Sequence, residues 1–284
     1  MAQNEKQWSS AEPGLLVILL DKSGSMNENY EGTETAASFA SKAVNKVIDN
    51  IIQRSFDGEA PKNRCFVSVI GYNTNVTELR SGWLKDLAEK PLRYEKMQQK
   101  IPDGTGGILT IDVENPVWIE PTDIQGVTNM KGAFEQARSL VKKWMQDFPD
   151  NPAPVIINIS DGVPYYDGKN VGACMAETVD IAREIMNLSC NDGNVLIFNA
   201  HIAKSGGQVI CPSNRDNLIK EEAQFLFDIT SVIPPSYRAV AEAKFDMKIN
   251  DNAKGCVFEA DGVQLIQLID FGSSKGQQDV VRLS

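Results

Sequence analysis

The chain has 284 residues, of which 42% are apolar and 23% charged, and a formal net charge of -10. That length holds one large α/β domain or a domain with an appendage, and the composition is that of an ordinary soluble globular protein. The acidity weighs against non-specific binding to nucleic acid or to anionic membranes, since both need basic faces. The first eight residues lack a basic start followed by an apolar core, so no signal peptide is expected. The longest apolar runs are too short to span a bilayer. The cysteines, Cys65, Cys174, Cys190, Cys211 and Cys256, are odd in number and form no C-x-x-C pair. That pattern suggests neither a disulfide frame nor a zinc site, but small core residues in a reducing cytoplasm.

In chain order, residues 1–13 read as a flexible lead-in. Residues 15–20 are six apolar residues with the branching of a strand buried on both faces. They run into Asp21-Lys22-Ser23-Gly24-Ser25, a tight turn in which Asp21, Ser23 and Ser25 can aim oxygens at one point. Three oxygens with no His or Cys among them suit a hard cation such as Mg2+ or Ca2+. Lys22 is expected to be solvated. A helix follows over residues 33–53, with Ala36, Ala40, Val44, Val47 and Ile51 on one stripe and Thr33 or Thr35 as its cap.

Residues 65–72 are a second strand, and 76–79 its antiparallel partner across Asn73-Thr74-Asn75. Residues 80–126 read as an insertion with some β structure, in which 108–113 and 117–119 pair across Glu114-Asn115-Pro116. The Gly-rich stretch at 104–107 is a surface turn, because no G-K-S/T follows it and no buried strand precedes it. A helix over 129–148 opens at Thr128, with Asn129 helping its cap. Residues 154–161 are another buried strand ending in an acid, Asp161. A helix at 172–188, a strand at 195–202 and a helix at 217–231 follow, the last ending before Pro234-Pro235. A short strand at 255–258, a terminal helix at 263–271 and a polar tail from 272 complete the chain.

Strands alternating with helices imply a mostly parallel, Rossmann-like doubly wound sheet with helices on both faces and one antiparallel edge strand. Ligands bind such sheets beyond the carboxyl ends of the strands. Asp21 and Asp161 both stand at strand ends and Thr128 at a helix start, so the three can meet at one edge.

The D-x-S-x-S of Asp21, Ser23 and Ser25, the helix-opening Thr128, and Ser160-Asp161-Gly162 after a later strand together resemble the von Willebrand factor A domain and its metal-ion-dependent adhesion site. The resemblance covers about residues 14–202, and more loosely 225–234. It implies one such domain over 14–284, with the insertion at 80–126 and a C-terminal extension from about 235. By resemblance, Ser23 and Ser25 ligate the metal directly. Thr128 and Asp161 exchange between direct and water-mediated contact, and Asp21 anchors the site. The resemblance implies Mg2+, with Mn2+ or Ca2+ as alternatives. With only two carboxylates the ion keeps net positive character and an open position, which a partner's Glu or Asp can fill. The implied function is a cytoplasmic, non-enzymatic protein-binding module. Its style is that of intracellular bacterial relatives of the tellurite-resistance type, which work beside a protein kinase and a phosphatase. Two alternatives stand: a metal-dependent phosphoester hydrolase using Asp21 as nucleophile, disfavoured because Ser23 stands where a second acid is usual, and a structural subunit whose metal only stabilises the fold. His201, the one histidine, reads as structural. Tyr165-Tyr166-Asp167 read as part of a contact rim.

Overall fold

The computed structural model describes residues 4–102, 107–202, 208–216, 218–245, 248–259 and 267–268. Strand β1 (Gly14–Asp21) leads through a 3-10 turn at Gly24–Asn27 into a small hairpin, β2 (Asn29–Glu31) and β3 (Glu34–Thr35), and then helix α1 (Ala36–Arg54). A second small hairpin, β4 (Phe56–Asp57) and β5 (Ala60–Pro61), precedes β6 (Cys65–Tyr72), β7 (Val76–Trp83) and α2 (Leu84–Glu89). A long ribbon follows, β8 (Arg93–Pro102) and β9 (Ile108–Val117). Next come α3 (Met130–Asp147), β10 (Val155–Ser160), α4 (Val171–Met186), β11 (Leu196–His201), β12 (Val209–Ile210), α5 (Glu221–Asp228), α6 (Pro235–Phe245) and β13 (Cys256–Phe258).

Seven strands form one sheet in the order β12-β13-β11-β10-β1-β6-β7. The four inner pairings are parallel. The expected antiparallel edge is β7 against β6, and the two-residue β12 gives the other edge a second antiparallel pair. Every residue of β1, β10 and β11 is buried, as befits strands covered on both faces. On one face, even-numbered β1 residues such as Leu16 and Ile18 pack under α1, α2 and Tyr237 of α6. On the other, Leu15, Val17 and Leu19 pack under α3, α4 and α5. The chain therefore leaves β1 over one face and reaches β10 over the other, which puts a crevice between the ends of β1 and β10.

The helices start where their caps allow. Thr35 accepts from the Ser38 N–H at 3.2 Å, Asn129 from Gly132 at 3.1 Å and Asn170 from Ala173 at 2.8 Å.

Several expectations need correction. The lead-in is packed along its described part. Trp8 is buried against Gly14, and the main chain of Asn4 and Lys6 is hydrogen-bonded to Asp192 at 2.8 and 2.7 Å. A bulky indole gains more under the sheet than in water. In the 80–126 segment, 108–117 is one continuous strand whose partner is 93–102, not 117–119. The base of this ribbon is latched to α1 by Asn45, which accepts from the Trp118 and Ile119 N–H groups and donates to the Ile119 carbonyl, each at 2.9 Å. Strand β7 runs on to Trp83. Helix α5 is shorter than expected, and α6 follows it, beginning on Pro235. A first-turn proline lacks only an N–H that has no helical partner anyway. In the segment after 235, the short strand expected at 255–258 is β13, which pairs with β11 inside the main sheet. Lys22, expected in solvent, is buried with its stem over Gly71, where an added Cβ would lie 2.7 Å from it. The expected turn at 104–106 and the tail from 272 lie outside the described residues, as does the helix at 263–271 apart from 267–268.

Candidate functional site

The site is built on the carboxyl ends of β1 and β10. Asp21 closes β1 and is 1% exposed. Its Oδ1 accepts from the Ser23 N–H at 2.8 Å, which draws the chain into the tight turn. Its Oδ2 accepts from the Ser160 hydroxyl at 2.6 Å, tying β1 to β10. Ser23 is buried and Ser25 exposed, yet their hydroxyl oxygens lie 3.1 Å apart. The Ser25 hydroxyl is also near enough to the Asp161 carboxylate to favour its charged form. Asp21, Ser23, Ser25 and Asp161 are thus close together at the end of two neighbouring strands.

Thr128 arrives by main-chain bonds. The segment before it lies on the serine turn: Gln125 N–H donates to the Lys22 carbonyl at 3.0 Å and Gly24 N–H to the Gly126 carbonyl at 3.1 Å. Gly126 has φ +77, a backbone state that favours glycine. Thr128 exchanges both hydrogen bonds with Tyr165, at 2.9 and 3.0 Å, so the loop after β10 and the start of α3 are one small ladder. Thr128 is 9% exposed, while Tyr165 beside it is 43% exposed. In a doubly bonded antiparallel pair the two side chains lie on the same side. Tyr165 therefore stands at the rim above Thr128, whereas Tyr166 is buried with its hydroxyl on Glu177.

Burial pushes the Asp21 carboxyl well above its usual range, and the Asp161 charge pushes it further; the bonds from Ser160 and Ser23 pull the other way. Asp161 is raised by burial first and by Glu28 as well, against the pull of Ser25. Among the described residues neither carboxylate has an ion-pair partner. No group of three or more His, Cys, Asp or Glu side chains that could hold a metal occurs among them either. The donors that meet here are hydroxyls and two carboxylates.

His201 ends β11 opposite Ser160, buried, with its Nδ1 left without a hydrogen-bond partner among the described residues. Burial lowers its pKa, so it is neutral at pH 7.

Sequence reasoning missed Ser160 as the partner of Asp21, and with it a buried polar row: Tyr72, Asn158 and Asn199. A signal for it was present. In Val155-Ile156-Ile157-Asn158-Ile159-Ser160 and Leu196-Ile197-Phe198-Asn199-Ala200-His201, polar residues occupy alternate positions of otherwise apolar strands, which marks one face.

No protein-family model and no curated protein matches the sequence. Solved structures do match the fold. The vWF domain of the type V pili tip protein Mfa5 from Porphyromonas gingivalis superposes with a TM-score of 0.52 at 10% identity, over 93% of this chain and 94% of that one. The D319A mutant of the PilB minor pilin from Streptococcus sanguinis gives 0.50 at 12% identity, over 93% of this chain and 61% of that one. The chain thus spans less than two thirds of the pilin. By its strand order and these superpositions, the chain folds as a von Willebrand factor A domain.

Proposed function

We propose that the protein is a divalent-metal-dependent protein-binding module, with Asp21, Ser23, Ser25, Thr128 and Asp161 holding the cation. The observation that carries this reading is the pair of carboxylates at adjacent strand ends, Asp21 buried and Asp161 half-buried, without a cationic partner among the described residues and with the Ser23 and Ser25 hydroxyls beside them. Such a pair is unfavourable as it stands, and a hard cation with oxygen ligands relieves it. Mg2+ is the favoured ion, and Mn2+ and Ca2+ accept the same donors. In the bound state the ion would offer an open coordination position to a Glu or Asp carboxylate of the partner.

The protein supplies the rest. Asp21 holds the serine turn through its two accepted bonds, and the Thr128–Tyr165 pair fixes the mouth. Tyr165 gives the partner an exposed ring beside it, a type of side chain enriched where proteins bind tightly. A cytoplasmic setting is supported by five cysteines that are all free. The pilus proteins that share the fold make a surface location the competing setting. A kinase or phosphatase of the same system is the partner class to try first.

The test is isothermal titration of chelator-treated protein with Mg2+, Mn2+ and Ca2+, beside Asp21→Ala and Thr128→Ala. Saturable binding lost in both variants is the expected result. Equal binding by wild-type protein and Asp21→Ala would overturn the assignment. Turnover of a generic phosphoester that disappears in Asp21→Asn would replace the binding reading with a hydrolytic one.

A further inference from the structure

Asn158 in β10 and Asn199 in β11 are register partners, both fully buried. A buried amide persists only when its donors and acceptors are matched. Here the matching can be followed from a fixed end. Thr230 Oγ1 donates at 2.6 Å to the Leu226 carbonyl, a group that only accepts. Asn199 Nδ2 donates to that hydroxyl at 2.8 Å and to the Ile229 carbonyl at 3.3 Å. The Oδ1 of Asn199 is therefore turned to Asn158, whose Nδ2 donates to it at 2.9 Å. Asn158 Oδ1 then faces Tyr72, whose hydroxyl donates to it at 2.8 Å.

Each proton in this chain points away from Asp21. Tyr72 is the register partner of Asp21 across β1 and β6, and its hydroxyl lies within reach of Ser160. Because its single proton is committed to Asn158, the Tyr72 oxygen has only lone pairs left for that side. Ser160 gives its proton to Asp21 at 2.6 Å, the shorter of its two contacts with acceptors; the Gly162 carbonyl lies at 3.3 Å.

We propose that the one-way chain Tyr72–Asn158–Asn199–Thr230 is a positioning device for the metal site, keeping the Tyr72 proton off the Asp21–Ser160 pair. The inference rests on the metal reading above. With the chain cut, Asn158 is free to turn its amide over and donate to Tyr72, and the Tyr72 proton then swings towards Ser160 and Asp21. The added donor would occupy lone pairs of the Asp21–Ser160 pair, leaving Asp21 fewer of them with which to anchor a cation. None of the four residues is among the five proposed ligands, and losing such outer partners typically weakens metal binding about 10- to 100-fold.

The experiment measures the Mn2+ dissociation constant of the full chain by titration calorimetry, and its metal-free Tm. The variants are Asn199→Leu, Asn158→Leu, Tyr72→Phe, the double variant Tyr72→Phe/Asn199→Leu and, as an apolar control on the same strand as Asn199, Ile197→Val. About a tenfold or greater rise in the constant is expected for Asn199→Leu, whereas Tyr72→Phe, which has no phenolic proton to misplace, and the double variant should stay within about twofold of wild type, as should Ile197→Val. If Asn199→Leu fails to fold, Asn158→Leu, which removes the acceptor of the Tyr72 proton, is expected to show the same rise and decides in its place. A constant within twofold of wild type in Asn199→Leu, or a rise in the double variant as large as in Asn199→Leu alone, would overturn the positioning role while leaving the site intact. A rise of equal size in Ile197→Val would overturn it too, by exposing a general loosening. Absence of binding by wild-type protein would remove the metal reading itself, and this proposal with it.

Discussion

The two faces of the sheet are built differently. On the face under α1 and α6, the inner strands present only apolar side chains: Leu16, Ile18 and Leu20 from β1, Ile157 and Ile159 from β10, Phe198 and Ala200 from β11. On the face under α3, α4 and α5, the same strands carry Asp21, Asn158, Ser160, Asn199 and His201, all buried. Hydrophobic burial alone stabilises the first face. The second is stable only where each polar group finds its partner, and a functional constellation needs that specificity. A doubly wound sheet can thus divide its labour, with one face holding the fold and the other holding the site.

Substitutions can test this division. The largest effect on stability is expected from the apolar face. Phe198→Ala removes a ring packed edge-on to Tyr237 at 6.0 Å and should cost about 3–5 kcal/mol in chemical denaturation. Its metal dissociation constant should stay near wild type in the folded fraction. A large loss of affinity would show that the two faces are not separable.

Asp21→Asn should do the reverse. Metal binding disappears, while the metal-free protein at neutral pH melts a few degrees higher, because a buried unpaired charge is gone. The pH dependence follows with the same sign. A carboxyl whose folded-state pKa is raised takes up protons on folding, so the metal-free protein should gain stability as pH falls from about 8 towards about 4. Saturating Mg2+ should remove that gain, since it needs the ionised form. Flat thermal melts across that range would contradict the picture of a strained polar face.

A middle-sized effect is expected at Asn45, where three hydrogen bonds tie the ribbon to α1. Asn45→Ala strands buried main-chain groups and should cost about 1–3 kcal/mol, again with metal affinity unchanged. The smallest is Tyr165→Ala: stability within about 0.5 kcal/mol of wild type and an unaltered metal constant. Only partner binding should fall. A shift in the metal constant would mean that the ring supports Thr128 rather than greeting a partner.

Much of the fold was legible because the relevant signals are local. Apolar runs such as 15–20 mark buried strands, and the 3.6-residue stripe of α1 marks its helix. That Asp21, Ser23, Ser25, Thr128 and Asp161 come near one another was legible for a related reason: each sits at an element boundary, where a short motif records it. What stayed hidden depends on pairing between distant segments. Whether residue 113 faces 97 or 117 is decided by the ribbon's register, which no window of sequence contains. The Tyr72–Asn158–Asn199 row likewise exists only once β6, β10 and β11 are aligned. Helix α6 was obscured because Pro234-Pro235 reads as a stop, although proline at a helix start is a common arrangement.

The ribbon of β8 and β9 has one more consequence. At its base the Leu92 N–H donates to the Val117 carbonyl at 2.7 Å, so the polypeptide leaves and re-enters the body at a single point. Topologically it is a cassette. Replacing it with a short turn between those two residues would leave every strand of the main sheet with its present neighbours. Variation in length or sequence there is open to evolution, and to an engineer seeking a site for a fused tag, without redrawing the domain that carries it.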